Sequence, residues 1–289
     1  MKYSLFLGCN IPARVQHYEL SARAVCNRLG IEIADNDQFK CCGYPVRNID
    51  AGTSLLMAAR NLALSEKTGL DMMVLCMCCF GNLKKAAHLI KNNPALRDEV
   101  NGALSKEGLT CTGTIGIRHF LSVLCHDIGI SALKEKVVRP FKSIRIASHY
   151  GCHGLRPSDV TEFDNPVAPV LLDELVTVTG AVSVDWPLKL ECCGAPMLGV
   201  NDGLSLDLTG RKLADAKRSG ADYLCVACPY CQMQFGRVQQ MMALQRQMEI
   251  GVLSVLFPQL LGLAMGIKGS ELGMDRHVLD VSRIESLLE

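Results

Sequence analysis

Asp71-Met-Met-Val-Leu-Cys76-Met-Cys78-Cys79 and Asp222-Tyr-Leu-Cys225-Val-Ala-Cys228-Pro-Tyr-Cys231 decide the architecture of this 289-residue chain. Each is a short apolar run between turn signals, which reads as a buried strand. Each strand delivers a Cys-x-x-Cys to the start of a helix, predicted over Asn82 to Lys91 and over Gln232 to Met248. Working outward, a glycine precedes each run, Gly69 or Gly220, as expected after a helix C-terminus. The helices so closed run from Leu55 to Lys67 and from Leu206 to Ser219. Further out lie Cys41-Cys42-Gly43 and Cys192-Cys193-Gly194, strand-like Ile31 to Ala34 and Ala181 to Val184, and amphipathic stretches Glu19 to Leu29 and Pro169 to Thr179. The outermost pieces are apolar strands that end at Gly8-Cys9 and Gly151-Cys152.

The chain is therefore an internal duplication. Strands alternate with helices in each copy, which predicts the α/β class: two similar domains, each a mostly parallel sheet flanked by helices. The join falls in the charged stretch Glu135 to Lys142, giving domains 1–139 and 140–289.

Ten of the fifteen cysteines belong to the repeated pattern: Cys9, Cys41, Cys42, Cys76 and Cys79, then Cys152, Cys192, Cys193, Cys228 and Cys231. Five thiols per half is one more than tetrahedral zinc or an ordinary cubane iron–sulfur cluster takes. Vicinal cysteines diverge, so one ion rarely uses both, whereas a multi-iron cluster is wide enough to do so. Gly43 and Gly194 are expected to let backbone pass close to such a cluster. Two zinc sites, each using four of the five thiols, remain an alternative, as does a dithiol relay. Of the other thiols, Cys26 and Cys125 lie on apolar helix faces and Cys225 lies within a strand, so all three read as core fillers. Cys111 is uninformative. Cys78 is placed to join or replace a ligand, which crowds the first half.

The bulk numbers narrow the function. Net charge is +1 and aromatics are 5%, which argues against nucleic acid and its stacking platforms. The hydrophobic fraction of 49% supports a sizeable core. The N-terminal apolar run is too short for a signal peptide. The longest apolar stretch, Val252 to Ile267, falls short of a membrane span and is expected to be a buried helix. These features predict a cytoplasmic protein whose thiols hold metal rather than disulfides.

The chain resembles the CCG-domain family, in the form of the B-type subunit of heterodisulfide reductase. The resemblance rests on Phe6-Leu-Gly-Cys9, Cys41-Cys42-Gly-Tyr-Pro45, Cys76-x-x-Cys79-Phe-Gly-Asn-Leu83 and His149-Tyr-Gly-Cys152-His153. It continues through Cys192-Cys193-Gly-Ala195, Cys228-Pro-Tyr-Cys231-Gln232 and Gln259-Leu-Leu-Gly-Leu-Ala-Met-Gly266, nearly the whole chain. It implies that each five-cysteine set holds a non-cubane [4Fe–4S] cluster and that the two clusters face each other across the domain interface. A disulfide would bind between them and be cleaved to two thiols, or formed from them, with one electron from each cluster. It also implies a ferredoxin-like iron–sulfur partner of the C type, a flavin subunit of the A type, and a small disulfide or a lipoate-bearing protein as substrate.

Disulfide cleavage also needs protons. His153 is the candidate catalytic residue, as donor or substrate-positioning group, because imidazole titrates near neutrality. A hydrogen bond to a cluster sulfur is the alternative role for it. His149 reads as structural, and Lys84 and Arg156 as solvated charges. The loop Ala195-Pro-Met-Leu-Gly199 is poorer in glycine than in methanogen-type subunits, so the substrate is expected to differ. No Gly-x-Gly-x-x-Gly and no ferredoxin-type cysteine run is present, so electrons must come from partners. Two rival functions stand beside this one: an electron-transfer subunit of an organic-acid dehydrogenase, and a zinc-stabilised interaction protein.

Overall fold

In the computed structural model, which describes residues 1–246, 249 and 251–288, the two copies form two four-stranded sheets. The first contains β1 (Lys2–Phe6), β2 (Glu32–Ala34), β3 (Met72–Val74) and β4 (Ile117–His119), in the order β2-β1-β3-β4. The second contains β5 (Arg145–His149), β6 (Val182–Val184), β7 (Tyr223–Val226) and β8 (Leu253–Leu256), in the order β6-β5-β7-β8. Every neighbouring pair is parallel. Parallel strands need crossover connections, and helices supply them: Gln16–Leu29 and Ala51–Thr68 in the first half, Leu171–Val178 and Asp202–Arg218 in the second. The central strands β3 and β7 are buried at every residue, as strands covered on both faces should be.

Local chemistry sets the helix ends. Asp50 caps Ala51–Thr68 by accepting from the Thr53 N–H, and Asn201 caps Asp202–Arg218 by accepting from Leu204. Gly30 and Gly69, both left-handed, close the two long crossovers of the first half.

The core is continuous through both halves. Helix Gln16–Leu29 packs on Phe257–Ala264, and the Tyr18 hydroxyl donates to the Ala227 carbonyl at 3.0 Å. Helix Met77–Asn92 lies so close to Cys152–Leu155 that a Cβ on Gly81 would come within 2.5 Å of the His153 carbonyl oxygen. The connecting segment runs past the second half: Val138 and Arg139 N–H both donate to the Ala264 carbonyl, and Phe141 pairs with Leu288.

Three sequence expectations change. Val252 to Ile267 is not one helix but β8 followed by helix Phe257–Ala264, because Pro258 opens a helix well and Ser254-Val-Leu256 pairs with β7. The helices after the Cys-x-x-Cys motifs begin at Met77 and Pro229, directly behind the first cysteine of each. The second of these continues through a π-helical turn, Gln234–Val238, to Arg246, and its expected end at Met248 lies outside the described residues.

Candidate metal centres

In an open parallel sheet, ligands bind beyond the carboxyl ends of the strands where the winding reverses. Here that point lies between β1 and β3, and again between β5 and β7. Cys9 follows β1 and Cys76 follows β3; Cys152 follows β5 and Cys228 follows β7. The Cys-Cys-Gly turns arrive from the loops after β2 and β6. Fold topology thus gathers each five-cysteine set at a switch point.

The first set lines a small cavity through Cys9, Cys42, Cys76 and Cys79, with Cys41 hydrogen-bonded to Cys9 and Cys42 at its edge. The second lines a similar small cavity through all five of its thiols. Cys231 Sγ lies 3.6 Å from Cys193 Sγ. All fifteen cysteines are free thiols. Five soft donors on one cavity exceed what a tetrahedral ion takes, and fit a larger thiophilic group. A second fit comes from Gly8 (φ +68°): a Cβ there would sit 2.8 Å from Cys79 Sγ, so only glycine leaves that sulfur its place.

The electrostatics repeat between the sets. Gly43 N–H points at Cys41 Sγ at 3.5 Å, and Gly194 N–H at Cys192 Sγ at 3.4 Å. Cys41 is lowered to about 2, chiefly by hydrogen bonds from Cys42 and then Cys9. Cys192 is lowered to about 2 by bonds from Cys152 and then Cys193. Cys9 and Cys152, the givers of those bonds, are raised. Crowded thiols ionise unequally because each thiolate opposes the next.

The two cavities exchange walls. Met77 and Cys78, the middle residues of the first Cys-x-x-Cys, line the second cavity. Pro229 and Tyr230, the middle residues of the second motif, line the first, and Tyr230 borders both. Cys78 Sγ lies 4.0 Å from Cys228 Sγ, and with Cys76 these form a buried group of three.

His153 stands at the same seam. Its Nδ1 is 3.4 Å from Cys152 Sγ and 3.6 Å from Cys78 Sγ. Its Nε2 is 3.0 Å from an Arg47 guanidinium nitrogen. Arginine only donates, so Nε2 accepts and the proton of the neutral ring sits on Nδ1, facing the sulfurs. Burial, and after it Arg47, pulls the His153 pKa down. Tyr44 braces the pair, edge-on to the imidazole at 4.7 Å and under the guanidinium at 4.4 Å.

The chain is similar to known proteins. The family model described as "CCG: Cysteine-rich domain" matches twice, over residues 3–84 and 146–236. The B-type subunit of the ferredoxin/F(420)H(2)-dependent CoB-CoM heterodisulfide reductase of Methanosarcina acetivorans is 35% identical over 96% of this chain and 94% of its own. This chain belongs to the CCG cysteine-rich family, in the form of the heterodisulfide reductase B-type subunits. Among its CCG relatives is the "8-methylmenaquinol:fumarate reductase membrane anchor subunit" of Wolinella succinogenes, 28% identical over 98% of this chain and 99% of that one. The fold is shared with a hypothetical protein from Helicobacter pylori, at TM-score 0.75 and 20% identity. That alignment covers 97% of this chain and 52% of the other. No helix among the described residues is long and apolar enough to cross a membrane.

Against this CCG framework, the residues singled out from sequence fall into three groups. The ten cysteines come together as two sets, and His153 lies between them. Cys26, Cys111 and Cys225 are buried away from the cavities, and Cys125 is partly buried. Lys84 pairs with Glu162 at 3.5 Å, and Arg156 is exposed. Gly43 and Gly194 are also demanded by their helix neighbours: their φ values are +89° and +94°, and a Cβ would strike the Ser54 and Ser205 carbonyl oxygens at 2.6 Å. One expectation fails. Cys78 crowds the second cavity rather than the first, because its helix carries it across the seam.

Sequence reasoning overlooked Arg47 and undervalued His149. Arg47 is a cation just after its Cys-Cys-Gly turn, where the second copy has Leu198, and that contrast was the available signal. His149 is buried, with Nε2 3.2 Å from Cys231 Sγ, and burial followed by Lys212 holds its pKa down at about 3. Its counterpart in the first copy is Phe6, so a polar residue at an apolar repeat position was the clue.

Proposed function

We propose that this chain is the catalytic subunit of a heterodisulfide reductase-type complex, cleaving a disulfide to two thiols or joining them. In this reading Cys9, Cys41, Cys42, Cys76 and Cys79 hold one non-cubane [4Fe–4S] cluster, and Cys152, Cys192, Cys193, Cys228 and Cys231 the other. The observation that carries it is the pair of cysteine-lined cavities on one seam, with Tyr230 bordering both and His153 beside Cys152. Two iron–sulfur clusters would supply the two electrons singly, matching a two-electron bond cleavage to one-electron carriers.

The chain's own residues prepare the seam. His153, kept neutral by burial and Arg47, offers an Nδ1–H toward sulfur and stabilises a developing thiolate by hydrogen bonding. A neutral imidazole so placed acts as a positioned donor rather than as the proton source. Each cleaved sulfur takes up its proton from solvent as it leaves the seam. Arg47 fixes the tautomer, and Tyr44 fixes Arg47. Tyr230 and Met77 close the space between the cavities to bulk water, which strengthens those hydrogen bonds.

The partners in this reading are a C-type iron–sulfur subunit and an A-type flavin subunit, in the cytoplasm, with a small disulfide or a lipoate-bearing protein as substrate. The electron-transfer reading is favoured by the fumarate reductase name of the Wolinella relative. Iron, zinc and labile sulfide on anaerobically purified protein, with electron paramagnetic resonance after adding thiols under oxidising conditions, separates the readings. About eight irons per chain with a thiol-dependent signal supports two clusters and direct sulfur binding. Full iron without a thiol response favours electron transfer, and zinc with little iron refutes both in favour of a structural module.

A further inference from the structure

The two cysteine sets are copies, but their surroundings are not. Aligning the repeats by their cysteines pairs Phe6 with His149, Asn10 with His153, and Asn61 with Lys212. At each position the first set has a neutral residue that cannot supply charge. At two of the three the second set has an imidazole N–H aimed at cysteine sulfur: His149 at Cys231, 3.2 Å, and His153 at Cys152, 3.4 Å. A thiolate bound to metal carries no proton, so in each contact the imidazole must be the donor.

The third position carries a full charge. Lys212 is 1% exposed, and its ammonium donates to the carbonyls of Leu188 and Glu191, the latter at 3.0 Å and next to Cys192. It also lies 4.5 Å from the Trp186 ring centre, over its face. Asn61, its counterpart, spends its amide on the carbonyls of Cys41 and Met57. The guanidinium of Arg47, contributed by the first half, also reaches across the seam to His153, beside Cys152.

We propose that the two sets hold their metal at different reduction potentials, the second set higher, and that His149 and Lys212 set the gap. This rests on the iron–sulfur reading above. Adding an electron makes a cluster more negative, and N–H···S bonds and buried positive charge both favour that form. The greater solvent contact at Cys9 acts in the opposite direction. Water at the rim, however, stabilises less than an unscreened ammonium in the interior. The second set therefore fills first, and the first set passes its electron on more readily. His149 and Lys212 are positioning residues that act through the cluster.

The test is a redox titration of the full, iron-loaded chain, read by electron paramagnetic resonance, on wild type, His149→Phe and Lys212→Asn. Both variants transplant the first-half residue, and His149→Gln keeps a donor as the conservative control. Two separated one-electron steps are expected in the wild type. In His149→Phe and Lys212→Asn the upper step alone should fall, by an amount equal to about a tenfold change in the reduced fraction, 59 mV for one electron. His149→Gln should restore most of that fall. Circular dichroism and iron content establish beforehand that each variant folds and loads, and Lys212→Gln replaces Lys212→Asn if the latter does not. Coincident steps, or a shift of the lower step, in a chain with full iron overturn the inference and leave the cluster reading standing. Iron missing from the wild type sinks the cluster reading, and this inference with it.

Discussion

Replacing Gly8 by alanine tests whether Cys79 is a metal ligand, and Gly30 provides its control. Both glycines adopt left-handed backbone, φ +68° and +69°. An added Cβ costs each about 1 kcal/mol in conformational strain. At Gly30 nothing lies within 4 Å of that Cβ, so the strain is the whole effect. At Gly8 the Cβ would stand 2.8 Å from Cys79 Sγ, about 0.6 Å short of ordinary contact. Sulfur ligation tolerates displacements of only about 0.2 Å, so Cys79 leaves its position as a ligand. Gly8→Ala should therefore lose the first metal group and keep the second, falling from about eight to about four irons per chain. Gly30→Ala should keep them all while losing about 2 °C of thermal midpoint. Iron and sulfide analysis of both proteins, purified without oxygen, reads the difference. If Gly8→Ala retains full iron and matches Gly30→Ala in stability, Cys79 is not held against a metal at that position.

Three further outcomes are expected. Arg47→Leu removes a charged donor worth about 1.5 kcal/mol, so turnover of a disulfide should slow about tenfold. The same change takes away a cation that opposes imidazolium, so the pH at which His153 titrates in the rate profile should move upward. Cys78→Ala should keep full iron, because Cys76 and Cys79 remain, yet alter the spectrum of the second centre, against which Cys78 lies. An unaltered spectrum would place Cys78 outside both centres. His119 is fully buried with its pKa lowered to about 4 by burial, against about 6.5 unfolded. Its folded value is depressed, so the stability it carries is present above about pH 6.5 and is lost as pH falls toward 4, about 3 kcal/mol in all. Denaturant midpoints across that range should fall less steeply in His119→Gln.

Periodicity made the duplicated strand and helix order legible, because apolar runs ending in cysteine recur at matched intervals. It missed β4, since Ile117-Arg118-His119 carries no long apolar signal and becomes a strand only by pairing with β3. It fused β8 with the following helix because a continuous apolar run has no period to separate the two. That ten of the cysteines would gather as two sets was readable from spacing alone. Which side of the seam Cys78 would face was not, because that depends on how helix Met77–Asn92 docks on the other half. The same docking brings Arg47 to His153, a pair 106 residues apart in sequence.

The exchange of walls between the cavities bears on how such a chain matures. Neither half can complete its own metal pocket, because Met77 and Cys78 finish the second and Pro229 and Tyr230 finish the first. A partly folded chain, with the halves not yet docked, offers no finished cavity. The two walls also differ in chemistry, because a thiol, Cys78, stands at one middle position and a phenol, Tyr230, at the other, so the copies present different groups to each other's cavity.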